Sequence, residues 1–170
     1  MSGGQNAVGE RVGKAFVFGD DVDTDAIIPG RYLRGNIDDI VPHVMEGVRP
    51  GFADEVHHGD VVVAGRNFGT GSSRELAVVA LQSAGITVVI AVSFARIFFR
   101  NCINNGLLAL ECADTGLIQE GDHVTIEGDA GVVRIAGSDM TLSFPPMPPE
   151  IREIVECGGL ENYLARRGEG

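Results

Sequence analysis

Between residues 60 and 110, apolar β-branched runs alternate with helix-like stretches, and this alternation narrows the possible folds more than any other property of the chain. Residues 60–64 (DVVVA) form a short strand-like run, and residues 75–84 carry apolar side chains in a pattern compatible with a largely buried helix. Residues 86–92 are almost wholly apolar, as expected of a strand covered on both faces. Residues 94–105 read as a second helix with Phe94, Ile97, Phe98 and Cys102 on one stripe; Asn104, Asn105 and Gly106 stop it before a strand at 107–110. Strand–helix–strand–helix–strand in this order predicts parallel strands joined by right-handed crossovers, hence an α/β fold.

The turn between the first strand and helix, residues 65–75, reads GRNFGTGSSRE. Gly69 and Gly71 are free to take positive φ and let a ligand approach the backbone, and the start of a helix offers orphan amides and a positive dipole end to a carboxylate or phosphate. Ser72, Ser73 and Arg74 add two hydroxyls and a guanidinium to the same small volume. A plainer reading stands beside this one: Ser72 followed three residues later by Glu75 is a capping box, and the glycines shape a tight turn. The loop lacks the Gly-Lys-Ser/Thr ending of a P-loop and the glycine spacing of a dinucleotide fingerprint.

The rest of the chain reads as one domain. A start expected to be mobile (1–13) precedes a strand at 14–18, and residues 19–25 (GDDVDTD) form an acidic turn. That turn lacks the central glycine and terminal glutamate of a calcium loop. Its aspartates either cap their own backbone or orient an arginine. Residues 29–60 carry few strand signals, with a short helix near 36–46, and so read as a lid, a binding loop or an irregular excursion. His57 and His58 point to opposite faces of an extended segment and have no third ligand nearby, so the pair is expected to be exposed. Residues 121–144 change to an antiparallel β layer with strands at 123–127 and 131–136. The run PPMPP at 145–149 breaks that layer, and a polar helical tail interrupted at Gly158-Gly159 follows, so that 145–170 forms a C-terminal extension.

Thirteen basic residues against 24 acidic ones give a net charge of −11, which argues against a protein that works by neutralising a phosphate backbone. Nucleic acid is not expected as a partner, and the few arginines gain weight as candidate anion-binding groups. Arg96 and Arg100, on the second helix, either line a cleft or are surface charges. The three cysteines form no CxxC pair and leave an odd count, which indicates neither a disulfide framework nor a local metal site. With no apolar run near the roughly 20 residues that span a bilayer and no secretory pattern at the start, a cytoplasmic protein without a membrane partner is expected.

Four segments together, 19–29 (GDDVDTDAIIP), 32–34 (YLR), 65–75 and 94–106 (FARIFFRNCINNG), resemble the small subunits of 3-isopropylmalate dehydratases, the aconitase-type isomerases of leucine biosynthesis. The resemblance runs in order through most of residues 14–144. It implies a swivelling β/β/α domain, with parallel strand–helix units and an antiparallel β layer, that forms one wall of an active site. It further implies a large-subunit partner, in a heterodimer or heterotetramer, that carries a [4Fe–4S] cluster, with no metal in this chain. The scattered cysteines 102, 112 and 157 agree, since they lack cluster-binding spacing.

By the same resemblance, Ser72 takes the carbon-bound proton of the substrate, Ser73 assists, and Arg74 grips a carboxylate beside Gly71. Asp23, Asp25 and Asn67 support the loop, and Tyr32 and Arg34 face the variable part of the malate skeleton. Because Arg34 suits an extra carboxylate, the small subunit of homoaconitase or of another alkylmalate dehydratase stands as an alternative to 2-isopropylmalate isomerisation. A reading of a different class also remains, a non-catalytic domain that senses a small carboxylic acid.

Overall fold

The computed structural model describes residues 10–169, so most of the stretch expected to be mobile, residues 1–9, lies outside the described residues. Strand β1 (Arg11–Val17) opens the fold three residues earlier than the sequence pattern indicates. Short helical turns follow: α1 (Thr24–Ile27), a 3-10 turn at Gly30–Tyr32, α2 (Ile37–Ile40) and α3 (Phe52–Glu55). The helix expected over 36–46 is therefore only one turn of α-helix, which passes at Val41–His43 into a 3-10 turn containing Pro42.

The alternating segment then appears as expected: β2 (Val61–Ala64), α4 (Glu75–Ala84), β3 (Val88–Ala91), α5 (Arg96–Asn104) and β4 (Leu108–Glu111). Three antiparallel strands complete the sheet, β5 (His123–Glu127), β6 (Val132–Ile135) and β7 (Thr141–Ser143), before α6 (Pro149–Glu156) and α7 (Leu160–Glu169).

All seven strands belong to one sheet, ordered β4-β3-β2-β1-β5-β6-β7. β1 joins its halves: Ala15, Phe16 and Val17 pair in parallel with Val61, Val62 and Val63, while residues 11–14 pair antiparallel with residues 126–123 of β5. The antiparallel strands are thus a continuation of the parallel sheet and not a detached layer.

Alternation along each strand sorts the core into two clusters. Val62, Ala64, Val89, Ala91 and Ala109 pack with Ala77, Val78 and Leu81 of α4, Phe98 and Cys102 of α5, and the apolar residues of segment 22–56. On the opposite face, Val61, Val63, Val88, Ile90, Leu108 and Leu110 pack with Val124, Ile126, Val133, Ile135 and Leu142. The sheet therefore curls until its antiparallel half covers one face of its parallel half, with α4 and α5 on the other, which gives the β/β/α layering. The C-terminal segment closes one edge, with Val155 of α6 buried in the second cluster. Gly159 lies so close to the start of the turn after α5 that a Cβ there would come within 2.4 Å of the Asn104 carbonyl oxygen.

Candidate active site

Where β2 ends, the backbone of residues 65–74 is laced to the acidic turn. The Asp20 carboxylate accepts from the Arg66 N–H (2.7 Å), the Gly69 N–H donates to the Val22 carbonyl (2.7 Å), and the Thr24 N–H donates to the Thr70 carbonyl (2.9 Å). Asn67, with φ of 59°, donates its side-chain amide to Asp21 Oδ1 at 3.0 Å, and its backbone N–H donates to Ser93 Oγ at 3.0 Å. Its left-handed conformation is one that Asn tolerates better than most residues. Two motifs distant in sequence thus form one unit, with Asn67 as a strut.

The aspartates of the acidic turn make different contacts. Asp23 caps α1, its Oδ1 accepting from the Ala26 N–H at 2.7 Å. Asp25 faces the arginine: its Oδ1 lies 3.8 Å from Arg74 Nη1 and also accepts from the Gly30 N–H at 3.0 Å. Arg74 donates in addition to the Ile28 carbonyl at 3.3 Å, so its guanidinium is held from behind.

The capping box at Ser72 does not form. Arg74 is extended (φ −124°, ψ 101°), is itself the N-cap residue and supplies no side-chain cap, and α4 begins only at Glu75. Ser72 and Ser73 consequently precede the helix, both exposed, and neither hydroxyl makes a hydrogen bond among the described residues. The sequence spacing matches a box, but the register of the helix start is displaced by two residues.

Facing this loop is the start of α5. The Phe68 N–H donates to the Ser93 carbonyl and the Ala95 N–H donates to the Phe68 carbonyl, both at 3.0 Å. A cleft of about 270 Å³ lies between the two walls, lined by Gly69–Arg74 on one side and Ala95–Phe98 on the other, with Thr24 and Asn101 beneath. It sits beyond the carboxyl ends of β2 and β3, where α4 and α5 both begin, the position at which open parallel sheets place their ligands. Ser72, Ser73, Arg74 and Gly71 are brought together here. Arg96, left between cleft and surface by the sequence, is exposed and borders both the cleft and a neighbouring cavity lined by Phe94, Phe99, Arg100 and Glu111, whereas Arg100 borders only the latter of the two. Sequence reasoning missed Thr24 and Asn101, polar residues within otherwise ordinary elements that carry no signal of their own.

Tyr32 and Arg34 are not brought to this cleft. The Tyr32 hydroxyl donates to Glu46 Oε1 at 2.9 Å and its ring stacks on His43 with centroids 3.8 Å apart. Arg31 pairs with the same carboxylate at 3.1 Å, and His43 Nδ1 lies 2.7 Å from Glu46 Oε2. The bond to His43, then that to Tyr32, holds the Glu46 carboxyl below its ordinary range. This cluster borders a second cavity of about 540 Å³ shared with Asp23 and Asp25, an acidic hollow unsuited to a carboxylate. Arg34 is exposed, has no ion pair among the described residues and lines neither cavity.

Among the described residues no three His, Cys, Asp or Glu side chains are grouped to hold a metal ion, and no helix is long and apolar enough to cross a membrane. Burial pushes the thiols of Cys102 and Cys112 upward, away from the thiolate that a cluster requires. Among the described residues, these side chains offer no set that fits an iron–sulfur centre.

The β/β/α layering and the match of residues 49–115 to a family model for the aconitase C-terminal domain place the chain in the aconitase class. The 3-isopropylmalate dehydratase small subunit of Methanosarcina mazei is 52% identical over 155 residues, covering 91% of this chain and 96% of that one. A methanogen homoaconitase small subunit from Methanothermobacter thermautotrophicus is 51% identical over 158 residues, covering 91% and 90%. The crystal structure of a 3-isopropylmalate dehydratase from Methanocaldococcus jannaschii superposes with a TM-score of 0.89 at 48% identity, covering 94% of this chain and 95% of that one. The chain belongs to the family of 3-isopropylmalate dehydratase small subunits.

Proposed function

We propose that this chain is the small subunit of a cytoplasmic 3-isopropylmalate dehydratase of leucine biosynthesis, which interconverts 2-isopropylmalate and 3-isopropylmalate through 2-isopropylmaleate. It works with a large subunit that carries a [4Fe–4S] cluster. The observation that carries this reading is the pair of unengaged hydroxyls, Ser72 and Ser73, beside a guanidinium held from behind in a cleft at two helix starts.

Dehydration removes a proton from one carbon of the malate skeleton and hydroxide from its neighbour; rehydration returns both with the positions exchanged. When bound by the large subunit, the cluster supplies a Lewis acid for the hydroxyl. Ser72 takes the carbon-bound proton on its Oγ and later returns it. A serine hydroxyl is a very weak base, so its alkoxide needs stabilisation, which the orphan amides at the start of α4 and the Arg74 charge provide. Ser73 adds a second donor. Arg74 uses one N–H on Ile28 and keeps the rest of its fork for a carboxylate, in a bidentate grip that lysine does not reproduce. Asp25, at 3.8 Å, aims that fork without saturating it.

Anaerobic reconstitution with an iron–sulfur large subunit tests the reading: this chain alone is expected to be inactive and the mixture active on 2-isopropylmalate. Ser72→Ala lowers kcat by about 10²- to 10⁴-fold, as for loss of a general base, and leaves the circular dichroism spectrum intact. Arg74→Lys also lowers turnover, chiefly through KM. Normal turnover in both variants would overturn the roles given to these residues.

Sequence similarity favours a second reading of the substrate. A homoaconitase small subunit is about as similar to this chain as the dehydratase subunits are, and Arg34, although it lines neither cavity here, is the charge that the sequence offers to a third carboxylate. Turnover of homocitrate, citramalate and 2-isopropylmalate by the same mixture ranks the substrates. On this second reading Arg34→Val moves the preference away from homocitrate, and an unchanged ranking excludes it.

A further inference from the structure

We infer that Arg96 is a second carboxylate-binding residue of the cleft, placed to take the substrate carboxylate that Arg74 does not hold; this rests on the dicarboxylate reading above. A malate skeleton carries two carboxylates, and one arginine fork grips one of them. Arg74 has already committed a donor to Ile28 and lies near Asp25. Arg96 belongs to the opposite wall of the same 270 Å³ cleft.

Three features single it out from the other arginines. First, Arg31, Arg49, Arg134 and Arg152 are each paired with a glutamate or aspartate, and of the arginines whose side chains make no hydrogen bond or ion pair among the described residues, Arg34, Arg66, Arg96, Arg100 and Arg166, Arg96 is the one that lines the cleft. In a chain of net charge −11, a second arginine on the cleft that holds Arg74 is conspicuous.

Second, Arg96 occupies the first position of α5, which has no acidic residue in its first turn. A cation at that end opposes the helix dipole, and an anion in the cleft would compensate both charges.

Third, its backbone is rigidly set relative to Ser72. Phe98 is buried and packs edge-on against Phe68 with centroids 5.4 Å apart. Gly69 lies where a Cβ would come within 2.1 Å of the Phe98 ring, so α5 and the glycine loop touch without clearance. The two arginines are therefore carried by walls fixed to each other, as a two-point clamp requires.

The test uses the reconstituted holoenzyme and two inhibitors, 2-isopropylsuccinate and its monoamide. Arg96→Gln is expected to raise KM for 2-isopropylmalate and Ki for the dicarboxylate by about ten- to a hundredfold, as for loss of a charge-assisted hydrogen bond, while the Ki of one monoamide regioisomer changes little. Arg96→Lys recovers part of the loss. Arg100→Gln, one turn further along α5 and outside the cleft, leaves both constants unchanged. An unaltered Ki in Arg96→Gln overturns the inference. So does a variant that needs only more large subunit for full activity, since Arg96 would then contact the partner chain. If the wild-type mixture itself fails to isomerise 2-isopropylmalate, it is the functional reading that falls.

Discussion

Gly69 holds the two walls of the cleft at contact distance, and it does so in two ways. Its φ is +84°, and its missing Cβ leaves the space filled by the Phe98 ring. Gly71, two residues on, also has positive φ (+96°), yet a Cβ there would come no closer than 3.4 Å to Thr24 Oγ1. The two alanine variants should therefore separate. Gly69→Ala bears both backbone strain and overpacking and is expected to lose about 2–5 kcal/mol, whereas Gly71→Ala bears only the strain, about 1–2 kcal/mol. Urea denaturation of the chain measures both, and equal losses would show that Phe98 yields freely. The cysteines allow a second check at this scale. Burial raises the Cys102 thiol, and Cys157 is only partly buried, so a thiol reagent at about pH 8 should label Cys157 first and reach Cys102 only on unfolding. Mass spectrometry of the labelled peptides reads the order.

At the scale of elements, the segment between α1 and α3 is held by the polar cluster of Tyr32, His43, Glu46 and Arg31 as well as by its apolar contacts. The Glu46 carboxyl lies below its ordinary 4.5 because its charged form is bonded to His43 and Tyr32. A depressed carboxyl stabilises the fold fully above its unfolded value, and that contribution is lost as pH falls through the folded value. Melting temperature should therefore fall as pH drops below about 5 with a component that Glu46→Gln removes; parallel curves for the two proteins would count against it. None of this cluster shows in the sequence, because its members are spread over 31–46 in a segment without periodicity. The strands and helices of 60–111 were legible for the opposite reason, since each is either an unbroken apolar run or a striped helix. The cleft was legible in part. Ser72, Ser73 and Arg74 stand in a recognisable loop, but the displaced start of α4 was not, because the Ser72–Glu75 spacing fits a capping box whether or not the helix begins there. The position of Tyr32 away from the cleft depends on a side-chain stack with His43, which no local pattern encodes.

Across the whole molecule, the two halves of the sheet meet on one strand, and the junction is tightly built. Asp60, buried at the entrance to β2, accepts from the Lys14 N–H at 3.1 Å and the His57 N–H at 2.8 Å, tying β1 to the turn before β2. Gly13 lies at the same place, where a Cβ would come within 2.0 Å of the Gly59 carbonyl oxygen. The obstruction is backbone, so it cannot rotate aside as a side chain would. Gly13→Ala must push β1 off the 57–60 turn, and since residues 11–14 also carry the ladder to β5, both halves are strained together. A loss of about 1–3 kcal/mol is expected from overpacking alone. The second core cluster draws on both halves, with Val61, Val88 and Leu108 facing Val124, Val133 and Leu142, so neither half buries its apolar face without the other. Unfolding should remain a single transition in the variant, with amide exchange accelerated alike in β2–β4 and β5–β7. Faster exchange confined to β5–β7 would mean that the parallel half stands alone, and that the curled sheet is two units sharing a strand.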